Sequence, residues 1–199
     1  MLISVTPTFA SKWLISNLPD FTATHPSIDL RIVATERVSS FYSDGIDLAV
    51  RQGNPPFGAA IEAHLLFRQD IVAVASPSSC QHENLPLTRD ALYDMRKIHD
   101  THRLWPRFLD FLSICNSDRR GLQLSQTALS IDAAIAGQGV ALASRFLVQK
   151  DIETGNLVQV VPEVLRGEGD FYLLSRRSTG NRSAVVSVVD WLRQFSETS

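Results

Sequence analysis

The run Leu2-Ile3-Ser4-Val5-Thr6-Pro7-Thr8-Phe9 opens the chain, and its reading decides the fold. Leu2 to Val5 is a short β-type stretch. From Thr6 a segment begins in which Phe9, Trp13, Leu14, Leu18 and Phe21 recur at helical spacing. Thr6 or Thr8 can cap that helix by accepting from its first N–H groups. Pro7, with φ preset and no N–H to lose, suits its first turn. Asp20 to Pro26 reads as the helix end, and Ile28 to Ala34 alternates as a second strand. The spacing therefore predicts a strand–helix–strand unit, a building block of α/β sheets.

Outward from that unit the grammar repeats. Thr35-Glu36-Arg37 leads into a short helical stretch near Val38 to Ser43, a turn at Asp44-Gly45 and a strand from Ile46 to Val50. A polar loop, Arg51 to Gly58, precedes strand material at Leu65 to Phe67 and Ile71 to Ala75. Further on, Met95 to His99 ends in Asp100-Thr101-His102-Arg103, and Trp105 to Leu112 reads as a helix. Leu122 to Leu124 is a short strand, Ser125-Gln126-Thr127 a second capping turn, and Ala128 to Ala136 a helix that stops at Gly137. Gly139 to Ala143 and Phe171 to Ser175 are strands. Phe146 to Lys150 is a helical turn, and Val185 to Phe195 closes as a helix. Apolar runs alternating with helices predict a mostly parallel α/β sheet. No composition shift marks a boundary, which two lobes joined by paired crossover strands would explain.

Composition narrows the function classes. The 199 residues are 44% hydrophobic and 20% charged, and no apolar run approaches the ~20 residues of a membrane span. The chain reads as a soluble, cytoplasmic protein without a targeting segment or membrane partner. Cys80 and Cys115 are too few for a disulfide framework and read as reduced thiols. A net charge of -2 argues against a surface that neutralises many phosphates, so this chain is not expected to bind DNA by itself. Arg119-Arg120 and Arg176-Arg177 read as solvated surface.

Chemical motifs are few. His99-Asp100-Thr101-His102 has the spacing of two metal ligands, yet nothing nearby completes a set, so no metal and no cofactor is expected. Gly137-Gln138-Gly139 follows a helix and precedes a strand, the reverse of a dinucleotide loop. With no nucleophile elbow, phosphate loop or zinc-protease motif, the chain is not expected to be an enzyme.

In an open α/β sheet, ligands sit beyond the carboxyl ends of strands, where helix N-termini offer N–H groups and partial positive charge. Thr6 to Phe9 and Ser125 to Thr127 are two such places, although on the residues alone plain helix capping is the favoured account of both. Arg37 and Arg51 carry forks that match a carboxylate, with Glu36 and Asp47 as competing neighbours. Asp100 and Thr101 end a strand and can hold an ammonium or hydroxyl group, or simply shape a turn. Tyr172 lies near the return crossover.

Several runs together resemble one family: Ser4 to Ala10 with Trp13-Leu14, His25-Pro26 before Ile28-Asp29-Leu30, and Asp44 to Arg51. His99-Asp100 with Trp105-Pro106, and Ala136 to Leu142, extend the likeness. These stretches resemble the effector-binding domain of LysR-type transcription regulators, in particular the subgroup of the glycine-cleavage activator and the regulator of inducible β-lactamase. The resemblance implies a type II periplasmic-binding-protein-like α/β fold of two Rossmann-like lobes. Lobe I would comprise 1–75 and 173–199, and lobe II 76–172.

It further implies a small anionic or zwitterionic effector held in the interlobe cleft by Thr6, Pro7, Thr8, Phe9, Thr35, Glu36, Arg37, Arg51, Asp100, Thr101, Gln126, Thr127 and Tyr172. Effector binding would rotate the lobes and, through a homodimer or homotetramer, redirect the N-terminal winged helix-turn-helix domains of the full-length protein, which this chain lacks. DNA would be a partner only through those domains. Gln52 departs from the subgroup, which often has an aromatic there, and this leaves the effector's identity open. A periplasmic solute-binding protein of a transporter is the alternative on the same fold.

Overall fold

The structure, a computed structural model, describes residues 1–37, 41, 44–81, 84–115, 121–177 and 183–196. The helical stretch expected near Val38 to Ser43 lies, but for Phe41, outside those residues, as does Arg119-Arg120. The chain divides into two compact units, Met1–Gln69 with Gly167–Ser199, and Asp70–Arg166.

The first unit opens with β1 (Leu2–Val5). A helix in three parts follows: α1 (Pro7–Phe9), a wider π-type turn (Ala10–Leu14) and α2 (Ile15–Thr24). Then come β2 (Arg31–Ala34), β3 (Leu48–Gly53) and β4 (Ile61–Phe67). The second unit contains β5 (Asp70–Ala75), a 3-10 turn (Pro77–Cys80), α3 (Arg89–Asp94), β6 (Lys97–His99) and α4 (Trp105–Phe111). It continues with β7 (Gly121–Gln123), α5 (Thr127–Ile135), β8 (Ala141–Ser144), α6 (Arg145–Glu153), β9 (Val158–Gln159) and β10 (Leu165–Arg166). The chain then returns to the first unit as β11 (Asp170–Arg176) and α7 (Ser183–Ser196).

The first unit's sheet has the order β2-β1-β3-β11-β4. β1 runs parallel to β2 and β3, so the predicted strand–helix–strand unit is present. Ile3, Ser4 and Val5 are all buried, as befits a central strand covered on both faces. The helix runs through Pro19 to Thr24, and His25 leaves the helical conformation, within the expected end at Asp20 to Pro26. Two things hold that last stretch. Phe21 is fully buried with its ring 5.1 Å from Trp191, and Thr24 Oγ1 donates to Asp20 O at 2.5 Å. The strand expected from Ile28 begins only at Arg31, where the N–H of Arg31 first donates to Met1 O.

Aromatic rings tie the first unit together. Phe9 stacks on Trp13 at 5.1 Å and lies 6.5 Å from Phe171. Trp13 in turn meets Phe67 at 5.0 Å and Phe195 at 4.9 Å. Each such ring adds about 2–3 kcal/mol of burial and up to ~1.5 kcal/mol from ring–ring geometry.

The expectation of a mostly parallel sheet does not hold. β11 is antiparallel to both β3 and β4, and β5 is antiparallel to β8, β9 and β10. Among the described strands the only other parallel ladder is β6 with β7. The cause is the return passage: β11 arrives from the second unit and inserts between β3 and β4 running against both, a direction that no local apolar pattern encodes.

The division between units also falls earlier than 75/76 and 172/173. Ile71 to Val74 hydrogen-bond to β8, which places β5 in the second unit. Asp170 to Tyr172 pair with Gly53 to Arg51, which places them in the first. In the second unit Ile71 to Ala75 are 0% exposed, and Ile71, Ala73 and Ala75, on one face of β5, form the floor of a core with Trp105, Phe108, Leu109, Leu142 and Val160. Gly137, at φ +78°, ends α5, and a Cβ on Gly139 would lie 2.3 Å from Arg96 O. Both glycines of this pair thus serve backbone geometry.

Candidate functional site

In the first unit the parallel strands β2, β1 and β3 bring their carboxyl ends to one edge of the sheet. Thr6 leaves β1 with extended backbone, and its Oγ1 accepts from Phe9 N at 3.3 Å, so Thr6 is the cap and Thr8 is a buried helical residue behind Pro7. Thr35 follows β2: its N–H donates to Val5 O at 2.8 Å and its Oγ1 accepts from Arg37 N at 3.1 Å. Thr6, Thr35, Glu36, Arg37 and Arg51 are thereby gathered at this edge, as expected of a binding edge in such a sheet.

Arg51, in the carboxyl half of β3, is the centre of this group. Its Nη1 donates to Val50 O at 2.8 Å, and its Nη2 to Ser4 Oγ at 2.6 Å and to Arg37 O at 3.5 Å. Burial pushes the guanidinium below its ordinary pKa, and the nearby Glu36 charge works in the opposite direction. Tyr172 is the direct cross-strand partner of Arg51 in the β3–β11 ladder, and its ring lies 5.1 Å from Phe57.

In the second unit Asp100 follows β6. Its Oδ1 accepts from His102 N at 2.9 Å and its Oδ2 from Thr127 Oγ1 at 2.5 Å. The expected capping role of Ser125 to Thr127 is therefore corrected. Gln126 holds the N-cap position of α5 without a side-chain bond, and Thr127, already inside the helix, donates its hydroxyl proton to Asp100 Oδ2. Thr101 is exposed in the turn that follows Asp100 and is not drawn into this pair.

Two residues escaped the sequence reading. Ser4 is fully buried in β1, and its bond to Arg51 marks it. Ser130 is 1% exposed, one helical turn on from Thr127, and its Oγ has no hydrogen-bond partner among the described residues. A depression of about 360 Å³ lies elsewhere in the second unit, lined by Arg89, Asp90, Tyr93, Ser113, Ile114 and Cys115, and includes none of the expected site residues. Cys80 is buried, Cys115 exposed, and both are free thiols. Among the described residues no helix is long and apolar enough to cross a membrane.

Among curated proteins the chain is similar to the glycine cleavage system transcriptional activator of Escherichia coli (strain K12), with 31% identity over 196 residues that cover 96% of this chain and 63% of the relative. It is also similar to the transcriptional activator AmpR of Providencia stuartii, with 27% identity over 190 residues, 96% of this chain and 64% of that one. The chain thus spans less than two thirds of these relatives' length. Among solved structures it superposes on the AmpR effector binding domain from Citrobacter freundii with a TM-score of 0.80 at 20% identity, over 100% of this chain and 98% of that one. The effector domain of AmpR of Pseudomonas aeruginosa gives 0.78 at 22% identity, over 100% and 95%. The fold is type II periplasmic-binding-protein-like. The family model described as the LysR substrate binding domain matches residues 2–197, and the chain belongs to that family.

Proposed function

We propose that the chain is the effector-sensing part of a LysR-type, DNA-binding transcription regulator, and that it takes a small anionic or zwitterionic metabolite and thereby alters transcription of target genes. The observation that carries this reading is the convergence of Thr6, Thr35, Glu36, Arg37 and Arg51 on the carboxyl ends of three parallel strands. Pro7, Thr8 and Phe9 shape the helix start beside them, and Tyr172 adjoins Arg51. In the second unit Asp100 supplies a carboxylate for an ammonium or hydroxyl group, with Thr127 fixing its orientation and Gln126 and Thr101 at its flanks.

The reading extends to the full-length protein. DNA contact belongs to a winged helix-turn-helix domain carried elsewhere, the assembly is a homodimer or homotetramer, and the protein works in the cytoplasm as a binding module, not an enzyme. A ligand with equal affinity for both conformations would switch nothing, so sensing requires differential binding.

The test begins with a thermal-shift screen of amino acids, pyridine-type acids and cell-wall fragments, since a ligand at 100 times its Kd stabilises by roughly 2.7 kcal/mol. Calorimetry of the best hit on the parent, Thr8→Ala and Thr127→Ala follows. Loss of affinity is expected in both variants, and a hit that binds both like the parent rules out the proposed site.

A further inference from the structure

In the parallel register of β1 and β3, Ser4 lies level with Ala49. Arg51 is two residues beyond Ala49 on the same face of the sheet, so its side chain reaches back diagonally to Ser4 Oγ. A guanidinium grips a carboxylate's two oxygens on one of two paired edges, Nε with Nη2 or Nη1 with Nη2. Nη2 belongs to both edges, and it is the nitrogen that donates to Ser4 Oγ and to Arg37 O. With Val50 O on Nη1, the acceptors of this one side chain come from β1, from the segment after β2 and from β3.

We infer that Ser4 and Arg51 form a positioning pair: the guanidinium ties the carboxyl ends of three parallel strands together, and it presents a bound anion with its charge and not with a two-pronged grip. The inference rests on the reading that this edge takes the anionic group of the effector, and it adds a specificity. The edge recognises negative charge without selecting a planar carboxylate over a tetrahedral oxyanion. Ser4 acts through Arg51 and touches no ligand.

The pair is tested by NMR on the nitrogen-15-labelled chain, following the Arg51 guanidinium and the amides of Thr35 to Arg37 during titration with sodium acetate or sodium methanesulfonate, a planar and a tetrahedral oxyanion of equal charge, at constant ionic strength. In the parent the Nη2 protons should stay resolved and unmoved by either salt, and the two anions should move the Thr35 to Arg37 amides with affinities within about threefold of each other. Ser4→Ala should collapse the Nη2 signals by freeing rotation about the Cζ–Nη2 bond and should weaken both anions alike, by about 3- to 10-fold. Arg51→Lys keeps the charge, and the acetate-to-methanesulfonate ratio should stay within about threefold of the parent's.

Nη2 signals that shift saturably with acetate, together with an Arg51→Lys variant that loses acetate about tenfold more than methanesulfonate, would mean a two-pronged grip and overturn the inference. Ser4→Ala spectra and affinities equal to the parent's overturn it as well. If neither anion moves any resonance of this edge, the anion reading itself fails, and the pair then stands or falls on the Nη2 signals of Ser4→Ala.

Discussion

Replacing Thr127 by Val removes one hydroxyl from the first turn of α5 and leaves its shape nearly intact. That hydroxyl donates to Asp100 Oδ2 at 2.5 Å, within the short range of charge-assisted O–H···O⁻ bonds, and Thr127 is itself buried. Bonds of this kind contribute about 1.5–3 kcal/mol when enclosed. Asp100 is only half-buried, and its other oxygen keeps the N–H of His102, so the loss on Thr127→Val is expected at about 1–2 kcal/mol.

Asp100→Asn retains a single side-chain oxygen, which must serve either Thr127 or His102, so it should cost about 1 kcal/mol and leave Thr127→Val little further to lose. Urea denaturation of the parent, both singles and the double gives the coupling directly, expected near 1 kcal/mol. Thermal midpoints should fall by about 2–8 °C in Thr127→Val. A coupling below about 0.3 kcal/mol, or a Thr127→Val variant as stable as the parent, would refute the claim that this bond holds Asp100 in place.

Other substitutions probe the frame around the two sets. Phe9→Ala removes a fully buried ring from contact with Trp13, Phe67 and Phe171 and should cost about 3–5 kcal/mol in guanidinium denaturation; a loss under about 1 kcal/mol would mean that the aromatic cluster is not the core of the first unit. A Cβ at Gly167 would lie 1.8 Å from Oε1 of the buried Gln69, so Gly167→Ala should lower stability by about 1–3 kcal/mol; because Gln69 Oε1 also accepts from Gly169 N, the rescue is read against Gln69→Ala alone, on which background Gly167→Ala should cost little in a thermal melt. Failure of that rescue would place the strain elsewhere.

Much of the local architecture was legible because it depends on neighbours in the chain. The short β-type run Leu2 to Val5, a capping Thr6 or Thr8 beside Pro7, and the helical spacing of Phe9, Trp13 and Phe21 rest on contacts within a few residues, and the structure has these elements where the pattern puts them, with Thr6 as the cap. The same holds for Trp105–Phe111, Thr127–Ile135 and Ser183–Ser196. Strands of two residues, Val158–Gln159 and Leu165–Arg166, carry too few residues for any period to register, and they appear only through their pairing with Asp70–Ala75.

The sequence by itself thus determined the longer helices and most of the strands, though not Arg89–Asp94 or the two-residue strands, together with the family and the polar residues that end the strands. Tertiary structure alone decided strand direction, the division at Gln69/Asp70 and Arg166/Gly167, and which polar groups meet. Ser4 and Arg51 are 47 residues apart in the chain, and Asp100 and Thr127 are 27 apart. The hydroxyl of Thr127 can serve a nearby backbone group or a distant carboxylate, and folding settled that competition in favour of the charge, because a partly desolvated carboxylate is the stronger acceptor.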